Sequence, residues 1–144
     1  MVKIKFPDGA IRSYESGLTP YEIASSISSG LARSIISSDF NGQKIETTTQ
    51  IFDDGNLTFY TWKDNEGKEA FWHSTAHLLA QVLEEFYDGI KLTIGPAISN
   101  GFYYDVDFGD HSITEKELKD IEKKFLDFAR QKFEFKMRSA SKQE

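Results

Sequence analysis

Along these 144 residues the spacing of apolar side chains changes once, near residue 63, and that change calls for two structural units. Before it, Val2, Ile4 and Phe6 alternate with Lys3 and Lys5, the period of a strand with one buried face. After it, Phe71, Trp72, Thr75, Leu78, Leu79, Val82, Leu83 and Phe86 recur at helical spacing. Plotted at about 100° per residue they fall within an arc of roughly 140°. The charged, glycine-bearing stretch Lys63–Gly67 is the natural joint, so the units run 1–62 and 63–144.

The first unit reads as strands around one short helix. Pro7-Asp8-Gly9 turns the opening strand back into Ile11–Tyr14. Thr19-Pro20-Tyr21-Glu22 is a capping box with proline at the first helical position, where its missing N–H costs nothing. The helix is expected to run to about Ser28 and to end with Gly30 in the left-handed conformation. Strand pieces near Ile35-Ile36 and Ile45 flank the turn Asn41-Gly42, and Leu57, Phe59 and Thr61 alternate with Thr58, Tyr60 and Trp62. One helix covering one face of a small mixed sheet, in the order ββαββ plus a final strand, predicts a β-grasp, so the fold class is α+β.

In the second unit a helix is expected from about Lys68 to Tyr87, stopped by Asp88-Gly89. Strands follow at Lys91–Ile94 and Gly101–Asp107, with a turn at Gly95-Pro96 between them. Thr114-Glu115-Lys116-Glu117 is a second capping box, and Leu118, Ile121, Phe125 and Phe128 form the apolar stripe of the helix it opens. Phe133–Met137 reads as a further strand. Ser141-Lys142-Gln143-Glu144 has the pattern of a helix start with no helix after it, which leads us to expect a piece of a longer chain.

Composition excludes several functions. Cysteine is absent, so disulfides and thiolate metal sites are ruled out within the chain. No apolar stretch approaches the roughly 20 residues that span a bilayer, and the start lacks a signal-peptide pattern, so a cytoplasmic protein with no membrane partner is expected. The net charge of −6 is spread over both units: residues 1–62 hold 5 basic and 7 acidic groups, and the remainder 12 and 16. Phosphate binding draws on Lys and Arg displacing counterions, so this chain alone should hold RNA weakly. Arg130, Lys132, Lys136 and Arg138 form the one mildly basic stretch, read as a solvated helix end.

Chemistry concentrates on two of the three histidines. His73 and His77 lie four residues apart, so they share one helix face, opposite the apolar arc and alongside Ala80 and Glu84. Two readings are open: an exposed pair without a role, or one wall of a groove completed elsewhere. In the groove, imidazoles either ligate a metal or hold and relay protons near neutral pH. A metal site wants three or four ligands, and His111 sits in a separate Gly109-Asp110-His111 turn, so no metal is assigned. The segment Ile94-Gly95-Pro96 through Asn100-Gly101-Phe102-Tyr103-Tyr104-Asp105 offers glycines for close backbone approach and rings for stacking; a hairpin with core aromatics is the other reading. Asp105 and Asp107, two apart on a strand, are expected to face solvent. Neither a P-loop nor a nucleophilic-serine elbow occurs.

Taken together these residues resemble the threonyl-tRNA synthetase family. His73-Ser74-Thr75-Ala76-His77 is similar to the His-x-x-x-His motif that opens that family's editing domain, and Ile94-Gly95-Pro96 with Asn100-Gly101-Phe102-Tyr103-Tyr104-Asp105 is similar to its next signature. Residues 1–62 resemble the preceding TGS domain, so the resemblance covers essentially the whole chain. It implies a ligase that joins threonine to tRNA(Thr) with ATP, and a hydrolytic site that removes misattached serine. It further implies that His73 and His77 are catalytic in that site, with Gly95, Pro96, Asn100 and Tyr104 binding the aminoacyl end. The family's downstream Cys-x-x-x-His motif is missing here, as is its aminoacylation core. ATP, magnesium and zinc are therefore implied for the absent core and no cofactor for these residues, and the homodimer contact is likewise implied to lie in the absent part. These residues alone are expected to be inactive.

Two other readings are weighed. TGS-like units also serve as regulatory, RNA-binding or protein-binding modules of GTPases and alarmone synthetases, although the second unit with its histidine pair does not fit them. A β-grasp sulfur carrier would need a terminal Gly-Gly, where this sequence has Gln143-Glu144.

Overall fold

A computed structural model describes residues 1–132 and 140–141. The expected strand Phe133–Met137 and most of the cap pattern at Ser141–Glu144 lie outside them. The chain divides into two compact units, one holding Met1–Phe71 and one beginning at Trp72. The stretch expected as a joint, Lys63–Gly67, holds a turn and the start of a helix.

The first unit is a five-stranded mixed sheet with two short helices, an α+β arrangement of the β-grasp type. β1 (Val2–Lys5) and β2 (Ile11–Tyr14) form an antiparallel hairpin, and β3 (Ile35–Phe40) pairs antiparallel with β4 (Gln43–Ile45). Between the hairpins runs β5 (Gly55–Thr61), parallel to β1 and antiparallel to β3, giving the order β2-β1-β5-β3-β4. Asn41 and Gly42, at φ 53° and 82°, close the β3–β4 turn; this left-handed pair matches the twist of the strands it joins. The alternation in β1 places Val2, Ile4 and Phe6 in the core beside Ile23, Ile51 and Leu57. Burial of such side chains stabilises by about 1.5–3 kcal/mol each.

α1 (Pro20–Ile27) begins at the expected capping box: Thr19 accepts from the Glu22 N–H, and the Glu22 carboxylate accepts the Thr19 N–H at 2.8 Å. Its end departs from expectation. Ser28, in extended conformation, stops α1 and at once caps a second helix, α2 (Ser29–Ser34), its hydroxyl accepting from the N–H groups of Gly30 and Leu31. Gly30 is thus inside a helix rather than terminating one. Serine is as good an N-cap as it is a poor helix interior, and the sequence Ser28-Ser29 exploits the first property.

α3 (Asn65–Phe86) starts three residues earlier than expected. Asp64 fixes the start, taking Thr61 N–H on its carboxylate at 2.8 Å and Lys68 N–H on its carbonyl at 3.0 Å. Gly67 fits because a β-carbon there would run into the Thr61 carbonyl.

In the second unit the core consists of Val82 and Leu83 of α3 with Ile121 and Phe128 of α4 (Glu115–Arg130), flanked by Leu78, Leu79, Leu92, Val106 and Phe125. Leu118, expected in the α4 stripe, is 56% exposed. The buried side of α3 also differs from the plot: Ala76 and Ala80 are buried, while Phe71 and Phe86 are exposed. Small side chains allow close approach, which a count of apolar residues does not weigh. The long strands expected after α3 are four short ones: β6 (Lys91–Leu92) pairs with β9 (Val106–Asp107), and β7 (Ala97–Ile98) with β8 (Gly101–Phe102). Among the described residues, no helix is long and apolar enough to cross a membrane.

Candidate functional site

Within the second unit, a cleft of about 320 Å³ is lined by His73, Ala76, His77, Thr93, Ile94, Gly95, Pro96 and Tyr104. Its first wall is α3, where the four-residue spacing sets the two imidazoles side by side. Their Nε2 atoms are 3.0 Å apart, and the ring planes stand at 89° with centroids 4.5 Å apart. Partial burial, with the like charge of His73 as a lesser cause, holds the His77 pKa below the ordinary imidazole value. His77 is thereby biased to its neutral form at pH 7, as a proton acceptor must be.

The second wall is an irregular strip that extends the β6–β9 ladder. Thr93 donates its N–H and its hydroxyl to the Asp105 carbonyl at 3.2 and 2.8 Å, and Asp105 N–H returns to Ile94 at 3.0 Å. These bonds fix the backbone immediately before Gly95-Pro96. At Gly95 a β-carbon would overlap the Tyr104 ring, so the glycine is what permits that ring to lie against the strip.

Of the six residues singled out by sequence, five line this cleft. The sixth, Asn100, is exposed in the β7–β8 turn and is not among the lining residues. Ala76 and Thr93 were not singled out. Ala76 falls between the histidines on the helix, a position the motif itself points to; Thr93 has no local signal, because its place depends on pairing with Asp105 twelve residues away.

Asp105 and Asp107 are exposed, as expected. His111 lies apart from the cleft-lining residues, its Nε2 2.6 Å from the Glu117 carboxylate, which also accepts from the Tyr87 hydroxyl at 3.2 Å. The same carboxylate closes the capping box of α4. Hydrogen bonds from the Thr114 N–H and hydroxyl, with a smaller share from His111, bring its pKa down to about 2. No group of three or more His, Cys, Asp or Glu side chains able to hold a metal occurs among the described residues.

Comparison with known proteins extends over both units. The TGS domain family matches residues 2–61. Threonine–tRNA ligase of Flavobacterium johnsoniae is 60% identical over 144 residues, which is 100% of this chain and 22% of that protein. The one from Flavobacterium psychrophilum is 56% identical over 142 residues, covering 99% of this chain and 22% of the relative. That of Cytophaga hutchinsonii is 49% identical over 144 residues, again 100% and 22%. The chain thus spans about a fifth of the length of these curated relatives, at 22%. Because the match continues past the TGS domain through the histidine-bearing unit, a TGS module of a GTPase or an alarmone synthetase does not account for it. By sequence, then, the chain is similar over its whole length to 22% of the length of threonine–tRNA ligases, and its residues 2–61 match the TGS domain family.

Proposed function

We propose that these 144 residues are the TGS domain and the leading part of the editing domain of a threonine–tRNA ligase, divided at residues 62 and 63. The complete protein attaches threonine to tRNA(Thr) with ATP, and hydrolyses tRNA(Thr) that carries serine. The observation behind this reading is the convergence of two separate segments, His73–His77 and Thr93–Tyr104, on one cleft.

The physical need is plain. Serine lacks one methyl group of threonine, a difference worth about 1–3 kcal/mol in a binding pocket, or roughly 10–200-fold. Discrimination beyond that calls for a second site that destroys the wrong product. In this cleft a water attacks the seryl ester carbonyl and the bond to the ribose oxygen breaks, leaving serine and a free tRNA hydroxyl. His73 and His77 take the proton from that water and return one to the departing oxygen. Gly95, Pro96 and Tyr104 hold the aminoacyl-adenosine end, the ring by stacking and the strip by close backbone approach. Asn100 acts only if the β7–β8 turn folds toward the ligand.

ATP is used by a part of the longer protein outside these residues, in the cytoplasm, and tRNA is gripped chiefly there, since both units here are acidic on balance. The test is His73→Ala in the full-length ligase. Threonine charging should stay unchanged while seryl-tRNA hydrolysis falls by about 100-fold or more. Undiminished hydrolysis would remove the histidines from the chemistry.

A further inference from the structure

We infer that His73 and His77 share a single proton between their Nε2 atoms and act as one base rather than two. The separation of 3.0 Å carries the argument. Two bare nitrogens at that distance would set lone pair against lone pair, and two N–H groups would set hydrogen against hydrogen. One hydrogen between them is the arrangement the geometry accepts. It fixes opposite tautomers: one ring carries its proton on Nε2 and the other on Nδ1.

Which ring takes which role is not imposed from outside. Among the described residues neither imidazole has another hydrogen-bond partner, so either ring can be the donor, the exchange of roles requiring the Nδ1 proton to move between the rings through solvent as well. Facing the pair from the opposite wall, Tyr104 is the titratable side chain lining the cleft, while on α3 itself Glu69, one turn before His73, is paired with Lys44 at 3.4 Å. Neither supplies a full charge aimed at the bridge.

A first added proton goes to the free Nδ1 of the ring that donates the bridge, which leaves the bridge intact and spreads one positive charge over two rings. A second forces the two Nε2–H groups apart against like charge and breaks the bridge. Set in the hydrolytic reading above, on which this part rests, the dyad accepts the proton of the attacking water and keeps the second site closed. Losing either ring then costs as much as losing both.

The experiment uses the chain as it stands, with histidines labelled with nitrogen-15 and observed by NMR with both rings neutral. A scalar coupling between the two Nε2 nuclei is expected. Absence of the coupling overturns the shared proton. Neither result depends on hydrolysis. A lost coupling with editing intact would remove only the dyad, and a coupling in a chain whose parent edits normally as His73→Ala would remove only the hydrolytic role.

Discussion

The ring of Tyr104 occupies the space into which a side chain on Gly95 would project. This pairing shapes one wall of the cleft, because the hydrogen bonds between Thr93, Ile94 and Asp105 hold the backbone of the strip while the missing β-carbon admits the ring.

Gly95→Ala is accordingly expected to displace Tyr104. Overpacking of this kind typically costs about 1–3 kcal/mol, and a half-buried ring that can swing outward places the effect at the lower end. Nuclear Overhauser contacts between the Tyr104 ring and residue 95 should disappear in the variant. Their persistence at full strength would contradict the account of the wall.

A second glycine tests the same logic with the opposite bias. Replacing a glycine inside a helix by alanine ordinarily stabilises by about 1 kcal/mol. At Gly67, however, the new methyl would meet the Thr61 carbonyl, a backbone group that cannot rotate away. Gly67→Ala should therefore lower stability, by up to about 2 kcal/mol net once the propensity gain is subtracted. Urea unfolding gives the sign directly, and a midpoint above that of the parent would refute the close approach.

The third prediction concerns acid. The Glu117 carboxyl, ordinarily near 4.5, titrates at about 2 when folded, chiefly through its hydrogen bonds from Thr114. A depressed folded value means that the contribution of Glu117 to stability is complete above its unfolded pKa and is lost as pH falls from about 4.5 through about 2. Carbon-13 shifts of the Glu117 side chain should show a midpoint near the lower value, moving upward in Thr114→Ala. A midpoint near 4.5 in the parent chain would show that the cap is not formed in solution.

Much of this architecture was legible because its signals are local. Both capping boxes, the Asn41-Gly42 turn and the alternation of Val2, Ile4 and Phe6 each act over a few residues, and each sits where sequence placed it. What was missed depends on distant contacts. Ser28 offered no sign that it would end one helix and begin the next. The two-residue strands β7 and β8 are too short to show alternation, and Leu118 looks apolar in a stripe whose centre lies elsewhere. The α3 plot set Phe71 and Phe86 on the core face and Ala80 opposite it, whereas packing buries Ala76 and Ala80 and leaves both phenylalanines exposed. For the cleft, the i,i+4 spacing put both histidines on one helix face and left a groove wall as one of two readings; the register that brings Thr93 and Gly95 opposite it needed coordinates.

The strand order of the first unit bears on how the protein is made. β5 lies between β1 and β3, so on the ribosome the opening hairpin must wait with one edge bare until residues beyond 54 have been synthesised. Until then that edge is free to recruit a stray polypeptide. Chaperone dependence and early aggregation of stalled nascent chains should therefore change sharply once Gly55–Thr61 emerges from the exit tunnel.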